Sequence, residues 1–201
     1  MEANDAEAET DWDIARLAGT GDEDAYARLM ARHQAPIHSF IFRSVRDQEI
    51  AKNLTQEVFV KAWFALARLR ENARFTTWLF QIAVNLCRDH AKSKATRQSR
   101  FTRSIVREND DGASDEREFP HPDPSPDRQT ELSENVRILD AEIHKLPEDL
   151  RTAILLGVIQ GLPHKEAAQI LGISSKAVEV RIYRARRILT ERLSAQGIIP
   201  S

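Results

Sequence analysis

The fold is decided by residues 161–193, GLPHKEAAQILGISSKAVEVRIYRARRILTERL, which predict two helices joined by a tight turn. Pro163 suits the first turn of the first helix, where its missing N–H leaves no hydrogen bond unmade. Gly172 suits the position just past the end of that helix, because glycine adopts the left-handed conformation without strain. Ser174 or Ser175 then predicts the N-cap of a second, longer helix, since a serine oxygen accepts the free N–H groups of a first turn.

The second helix of this pair has one apolar and one basic face. Its apolar residues recur at steps of four, three and four and so share a buried face: Val178, Ile182, Ala185 and Leu189. Residues 176–192 hold six basic and two acidic side chains, and the small Ala167 and Ala168 let the two helices cross closely. The pattern is typical of a helix-turn-helix, whose second helix enters the DNA major groove. A surface helical hairpin with solvated arginines is the less favoured alternative, because these features coincide.

Composition limits the class of protein. A chain of 201 residues has room for one or two domains, and 41% apolar residues with few glycines favour a soluble, mostly helical protein. One cysteine excludes an internal disulfide. No stretch is long and apolar enough for a membrane span or a secretion signal, so we expect a cytoplasmic protein.

The net charge of −2 conceals a strong segregation of charge. Residues 1–11 hold five acids and no base, and residues 108–134 hold ten acids and two arginines. Removing these −5 and −8 from −2 leaves +11 on the remainder. A further basic run, with Asp89 as its single acid, spans residues 88–107. The segments predicted to fold are therefore basic, as a nucleic-acid-binding protein requires.

We predict an all-α chain of two small helical domains joined by a flexible, acidic, proline-rich linker. Asp22 and Asp47 predict helix caps, and Pro36 predicts the start of another helix. The last helix of the first domain is expected over about 75–92, with Trp78 and Phe80 in the core. A helix is expected to begin again at about Leu132, and Pro147 interrupts it. The predicted boundaries are a disordered tail at 1–11, a first domain at 12–96, the linker at 97–131, a second domain at 132–195 and a tail at 196–201.

Three stretches in this order resemble the extracytoplasmic-function class of bacterial sigma factors. They are LTQEVFVKAW (54–63), RFTTWLFQIAVNLCRDH (74–90) and, after the linker, LPEDLRTAILL (146–156) with the helix-turn-helix. The resemblance covers both domains. It implies that the chain binds core RNA polymerase and directs promoter-specific initiation, and that an anti-sigma factor controls it. We further expect residues 108–129 of the linker to be disordered in the free protein and to become ordered on polymerase.

The resemblance assigns site residues in three groups. Docking on the clamp coiled coil of the large polymerase subunit falls on Asn53, Leu54, Gln56, Glu57, Val60 and Trp63. The residues expected to bind the minus-ten promoter element are Asn72, Ala73, Arg74, Phe75, Asn85, Arg88 and Lys92. The residues expected to bind the minus-thirty-five element are Lys176, Glu179, Val180, Arg181, Tyr183, Arg184 and Arg187. Among them, Arg181 and Arg187 are expected to lie nearer the phosphates.

Two departures from the usual family pattern matter. Glu179 and Val180 stand where many members carry a basic or small polar residue. A carboxylate accepts a hydrogen bond from cytosine but repels phosphate, so the promoter sequence read here can differ from the common one. Ala51, Lys52 and Asn53 replace acidic and small residues, which bears on the strength of polymerase docking.

Two other classes of protein fit this sequence less well. A helix-turn-helix regulator acting without polymerase predicts a ligand or receiver domain upstream, and residues 22–92 show no strand pattern for one. A DNA-rearranging enzyme needs a serine or tyrosine nucleophile among clustered arginines, and no such cluster is evident. We expect no catalytic residues, no cofactor and no metal: Cys87 and His90 share a helix face, but two ligands do not make a metal site.

Overall fold

The computed structural model describes residues 9–69, 74–105 and 128–200, which form eight α-helices and no strand. The predicted all-α fold is therefore confirmed. The helices are α1 (Asp11–Gly19), α2 (Glu23–Val45), α3 (Gln48–Ala65), α4 (Phe75–Ile105), α5 (Arg128–His144), α6 (Glu148–Ile154), α7 (His164–Leu171) and α8 (Ser175–Ala195). A 3-10 turn (Leu66–Arg68) follows α3 and a π-helical turn (Leu155–Ile159) follows α6. Within these ranges, no helix has the length and apolarity needed to cross a membrane.

The predicted helix caps are present. The Asp22 carboxylate accepts the Ala25 N–H at 2.9 Å, and the Asp47 carboxylate accepts the Ile50 N–H at 2.9 Å. Each satisfies one donor of a first turn that has no partner within its helix. The starts of α2 and α3 are thus determined by single residues of the local sequence.

Three predicted boundaries are wrong. Pro36 lies inside the continuous α2 instead of opening a helix. Its missing N–H removes one helical bond, and the core residues on both sides of it hold the two halves in line. Helix α4 continues to Ile105, well past the expected end near residue 92, because no proline or glycine interrupts residues 93–105. Helix α5 begins at Arg128, four residues early.

The end of the predicted acidic tail is ordered. Thr10 and Asp13 form a capping box at the start of α1. Glu9 pairs with Arg28, and Asp11 pairs with Arg32 at 3.1 Å. These acids therefore bind basic side chains of α2. The expected disorder of residues 1–8 and of 106–127 concerns residues outside the described ranges.

The helices form two lobes whose buried apolar residues belong to one continuous core. The first lobe is α1–α4, with Leu29, Phe40, Val58 and Leu79 fully buried; the second is α5–α8, with Ile143, Leu155, Leu156 and Val178 fully buried. The two lobes also contact each other, since α4 packs against α7 and α2 against α5. Phe80 is buried and Trp78 partly buried, as predicted.

Candidate DNA-binding surfaces and docking groove

The predicted helix-turn-helix is present in the second lobe. Gly172 adopts the left-handed conformation at φ 67° and ends α7. The Ser174 hydroxyl then accepts the Ala177 N–H at 3.1 Å and begins α8. Ala167 and Ala168 are buried where α7 crosses α8, so the small side chains permit the close crossing.

Helix α8 buries the predicted apolar ladder and exposes its basic face. Val178, Ile182, Ala185 and Leu189 are all buried. The predicted contacts on the opposite face are exposed: Lys176, Glu179, Val180, Tyr183, Arg184 and Arg187. Arg181 is partly covered and lies 3.5 Å from Asp149. A groove-sized helix therefore presents aliphatic, aromatic and cationic groups on one accessible side.

Ion pairs along α8 modify its charge. Lys176 Nζ lies 2.9 Å from Glu179 Oε2, and Arg187 Nε lies 3.4 Å from Glu191 Oε1. Lys176 therefore offsets the repulsion that the Glu179 carboxylate alone would exert on DNA phosphates.

The predicted minus-ten residues are divided among different environments. Arg74, Asn85 and Lys92 are exposed and Arg88 is partly exposed, while Asn72 and Ala73 lie outside the described residues. Phe75 is a correction, because it is only 2% exposed and its ring packs against His33 and Trp78. In this conformation Phe75 belongs to the core and cannot stack on a base.

The predicted docking residues on α3 share a surface, with one exception. Asn53, Gln56, Glu57 and Val60 are exposed and Trp63 is half-buried. Leu54 is a correction, because it is 8% exposed and lies on the face that α3 turns to the core. Its periodicity with Val58 already placed it there.

The exposed side of α3 forms one wall of an apolar groove of about 710 Å³ against α2. The groove is lined by Glu23, Tyr26, Met30, Gln34, Thr55, Gln56, Phe59, Val60, Trp63 and Phe64. Val60 is 54% exposed and Phe64 is 77% exposed, although both are large apolar side chains. An exposed apolar patch of this kind marks a surface for binding another protein.

The floor of the groove is fixed by Tyr26. Its hydroxyl donates a hydrogen bond to the Phe59 carbonyl oxygen, and its ring lies 4.8 Å from the Trp63 ring. Burial raises the pKa of Tyr26 to about 12. The groove is therefore preformed, because its base is bonded across α2 and α3.

Comparison with known families and proteins decides the identity. The sigma-70 region 2 family matches residues 29–97, and the sigma-70 region 4 family matches residues 137–189. The ECF RNA polymerase sigma-E factor of Escherichia coli K12 is 32% identical over 186 residues, which are 92% of this chain and 94% of that protein. The chain belongs to the extracytoplasmic-function sigma factors.

Two further proteins are similar to this chain over most of its length. RNA polymerase sigma-H factor of Pseudomonas aeruginosa is 30% identical over 191 residues, covering 92% of this sigma factor and 94% of that one. The structure of CnrH, solved in complex with the cytosolic domain of CnrY, is 28% identical with a TM-score of 0.67. It covers 92% of this chain and 97% of CnrH, so the arrangement extends over both lobes.

Sequence reasoning missed two kinds of residue in this sigma factor. Phe64 was overlooked, although an aromatic residue one position past the apolar stripe of α3 was a usable signal. Glu166 and Thr77 were also missed. Both are buried, and the Thr77 hydroxyl donates to Glu166 Oε2 at 2.9 Å across the two lobes. No local pattern marks this pair, because its members are far apart in the chain.

Proposed function

We propose that this sigma factor binds core RNA polymerase and directs it to promoters that carry both a minus-ten and a minus-thirty-five element. The observation that carries the proposal is the presence, in one chain with both sigma regions, of an exposed apolar groove and an exposed helix-turn-helix face. The polymerase supplies the chemistry, and this chain supplies the choice of start site.

The groove between α2 and α3 is the proposed polymerase contact. Val60 and Phe64 provide apolar area and Gln56 lines the polar edge of the groove. Glu57 and Asn53 are exposed beside it on α3. Glu57 Oε1 also lies 3.0 Å from Lys61 Nζ, so α3 carries both signs of charge next to the groove. An apolar groove with a polar rim suits a helical partner such as a coiled coil.

The exposed face of α8 is the proposed minus-thirty-five contact. Val180 and Tyr183 offer apolar contact with thymine methyl groups, and Arg184 offers a bidentate contact with guanine. Glu179 accepts from cytosine, with Lys176 beside it. Arg181 and Arg187 lie where phosphates would flank the helix.

The exposed side of α4 is the proposed minus-ten contact. Arg74, Arg88 and Lys92 supply cations for the strand backbone, and Asn85 supplies an amide for a base edge. The role proposed for Asn72 and Ala73 rests on the sequence resemblance alone. Phe75 is withdrawn from this group as a stacking platform.

Promoter-specific transcription with purified components tests the function. Core polymerase alone, this chain alone and the two together are given a pool of genomic fragments, and the RNA 5′ ends are mapped. Discrete starts that appear only with both proteins are expected. A chain that binds DNA fragments but yields the same RNA ends with and without it would be a regulator of another kind.

We further propose that an anti-sigma factor controls this chain by covering the same groove. The exposure of Phe64 in the free chain supports this, because a surface that must be apolar for polymerase also suits an apolar helix of an inhibitor. Capture of partners by the tagged chain, followed by competition with core polymerase, tests it. An inhibitor bound at the groove must leave as polymerase is added.

A further inference from the structure

The contacts between the two lobes are charge-complementary in one direction. Every ion pair recorded between described residues of the two lobes joins a cation of the first to an acid of the second. Arg43 Nε lies 2.9 Å from Asp140, and Arg88 Nε lies 3.7 Å from Glu148. Arg74 pairs with Glu166. The second lobe therefore presents carboxylates to a first-lobe surface that is basic.

Glu166 is the most specific of these contacts. It is 8% exposed, and both of its carboxylate oxygens are used by the other lobe. Oε1 accepts from Arg74, and Oε2 accepts from the buried Thr77 hydroxyl at 2.9 Å. A buried carboxylate without such partners is costly, so this arrangement is favourable only while the lobes are together.

Thr77 contributes more to holding Glu166 than Arg74 does. The Arg74 side chain is 75% exposed, so water and salt screen its attraction to Glu166. The Thr77 hydroxyl is buried, and its bond to Glu166 is made away from water. Both partners are needed to satisfy the carboxylate.

The cations that bind these acids include two of those proposed to bind promoter DNA. Arg74 and Arg88 cannot pair with Glu166 and Glu148 while they hold the phosphates of the minus-ten strand. The face of α7 that carries Glu166 also packs directly on α4, which covers that end of the proposed DNA surface. Closure of the lobes and binding of the minus-ten strand therefore use the same groups.

We propose that the second lobe is a built-in competitor of the minus-ten strand, with Glu166 as the latch. This inference rests on the proposed function for the identity of the strand, but the latch itself is a property of the free chain. In the closed form Glu166 and Glu148 take the places of DNA phosphates. Because binding requires the open form, apparent affinity for the strand falls by the fraction of molecules that are open.

The single cysteine gives a direct test of closure without an engineered reporter residue. Cys87 lies in the crevice between the lobes, close to Glu148 and Arg151 of the second lobe. Burial raises the pKa of its thiol to about 12, so the closed form reacts slowly with thiol reagents. Opening the lobes exposes the thiol and lowers its pKa, and both changes accelerate labelling.

The test variant is Glu166→Gln, which keeps the shape of the side chain and removes its charge. The matched control is Glu134→Gln, which removes a charge from exposed α5. Thiol labelling by dithionitrobenzoate should be about tenfold faster in Glu166→Gln and unchanged in the control. Small-angle X-ray scattering should show a larger radius of gyration in the first variant alone. Equal labelling and equal size in all three proteins would overturn the latch.

Thr77→Val provides an independent variant from the other lobe, because it removes the hydroxyl while keeping the side-chain volume. It should also speed labelling, and circular dichroism should show unchanged helix content in both variants. Labelling as slow as in the wild type in Thr77→Val, together with unchanged Glu166→Gln, would place closure elsewhere in the interface.

A DNA arm tests the competition. The probe is a fluorescent single-stranded oligonucleotide of mixed sequence, measured by anisotropy with the full chain. Glu166→Gln should bind it about tenfold more tightly than the wild type and the control. A variant that opens in scattering yet binds the probe no better would overturn the competition.

The latch and the proposed function fail separately. Labelling and scattering need no polymerase, so they decide the latch even if the wild type starts no transcripts. Conversely, a wild type that directs initiation while Glu166→Gln stays closed would retain the function and reject the latch.

Discussion

Ser174 shows how a single side chain positions the DNA-binding helix. Its hydroxyl accepts the Ala177 N–H and determines where α8 begins. We expect Ser174→Ala to lower the free energy of unfolding by about 1 kcal/mol, because that N–H loses its partner. The midpoint of thermal unfolding should fall by about 2–4 °C. Ser175→Ala is the control, since Ser175 lies inside the first turn, and an equal loss in both variants would contradict the cap.

Arg184 is the residue at which the proposed base reading is most testable. It is exposed on α8 between Val180 and Arg187. If it contacts a guanine by two hydrogen bonds, Arg184→Ala should cost about 1–3 kcal/mol at one promoter position. Binding to a set of single-base promoter variants measures this. Arg186→Ala is the control of equal charge, and equal weakening on every sequence would mark Arg184 as a phosphate contact.

The role proposed for the groove between α2 and α3, binding of polymerase, follows from the exposure of its apolar side chains. Phe64 contributes little to the fold because most of its ring is in solvent. Phe64→Ala should therefore leave thermal stability unchanged and weaken capture of core polymerase about tenfold. Leu17→Ala removes an exposed apolar side chain of α1 outside the groove and serves as the control. Capture by surface plasmon resonance measures both, and undiminished capture by the Phe64 variant would exclude the groove.

Helix α4 illustrates what a local sequence predicts well and poorly. Its start after residue 74 and its core residues followed from the apolar period. Its end did not, because the basic residues beyond Lys92 have good helix propensity and the charge pattern alone resembled a linker. Pro36 in α2 is the opposite case, since tertiary packing overrides the local tendency of proline to break a helix.

At the scale of the whole molecule, we expect closure to depend on pH through His144, which lines the crevice between the lobes. Burial is the largest of the causes that lower the pKa of His144 below the usual 6.5. The cations of Arg151, Arg46 and Lys94 also lower this pKa, while a hydrogen bond with the Arg43 backbone raises it. Its buried Nδ1 has no hydrogen-bond partner among the described residues. The closed form therefore prefers neutral His144, and its stability, full above pH 6.5, declines as the pH falls below that value.

We expect the radius of gyration to increase between pH 7.5 and about 5.5, because protonation of His144 favours the open form. Scattering is the appropriate measurement, because the rate of thiol labelling depends on pH through the fraction of thiolate. His144→Gln should reduce this dependence. A pH response of equal size in that variant would contradict the role of His144.

The sequence by itself determined the all-α class, the caps at Asp22 and Asp47, the turn at Gly172 and the accessible face of α8. These follow from residues within one helix turn of each other, so short-range rules suffice. The sigma-factor resemblance likewise depended on short stretches in a fixed order. Only the tertiary structure decided that Phe75 is buried and that Phe64 borders a groove. It alone also brought Glu166 to Thr77 and Arg74. Those contacts join residues about ninety positions apart, and the burial that makes them specific exists only when the lobes meet.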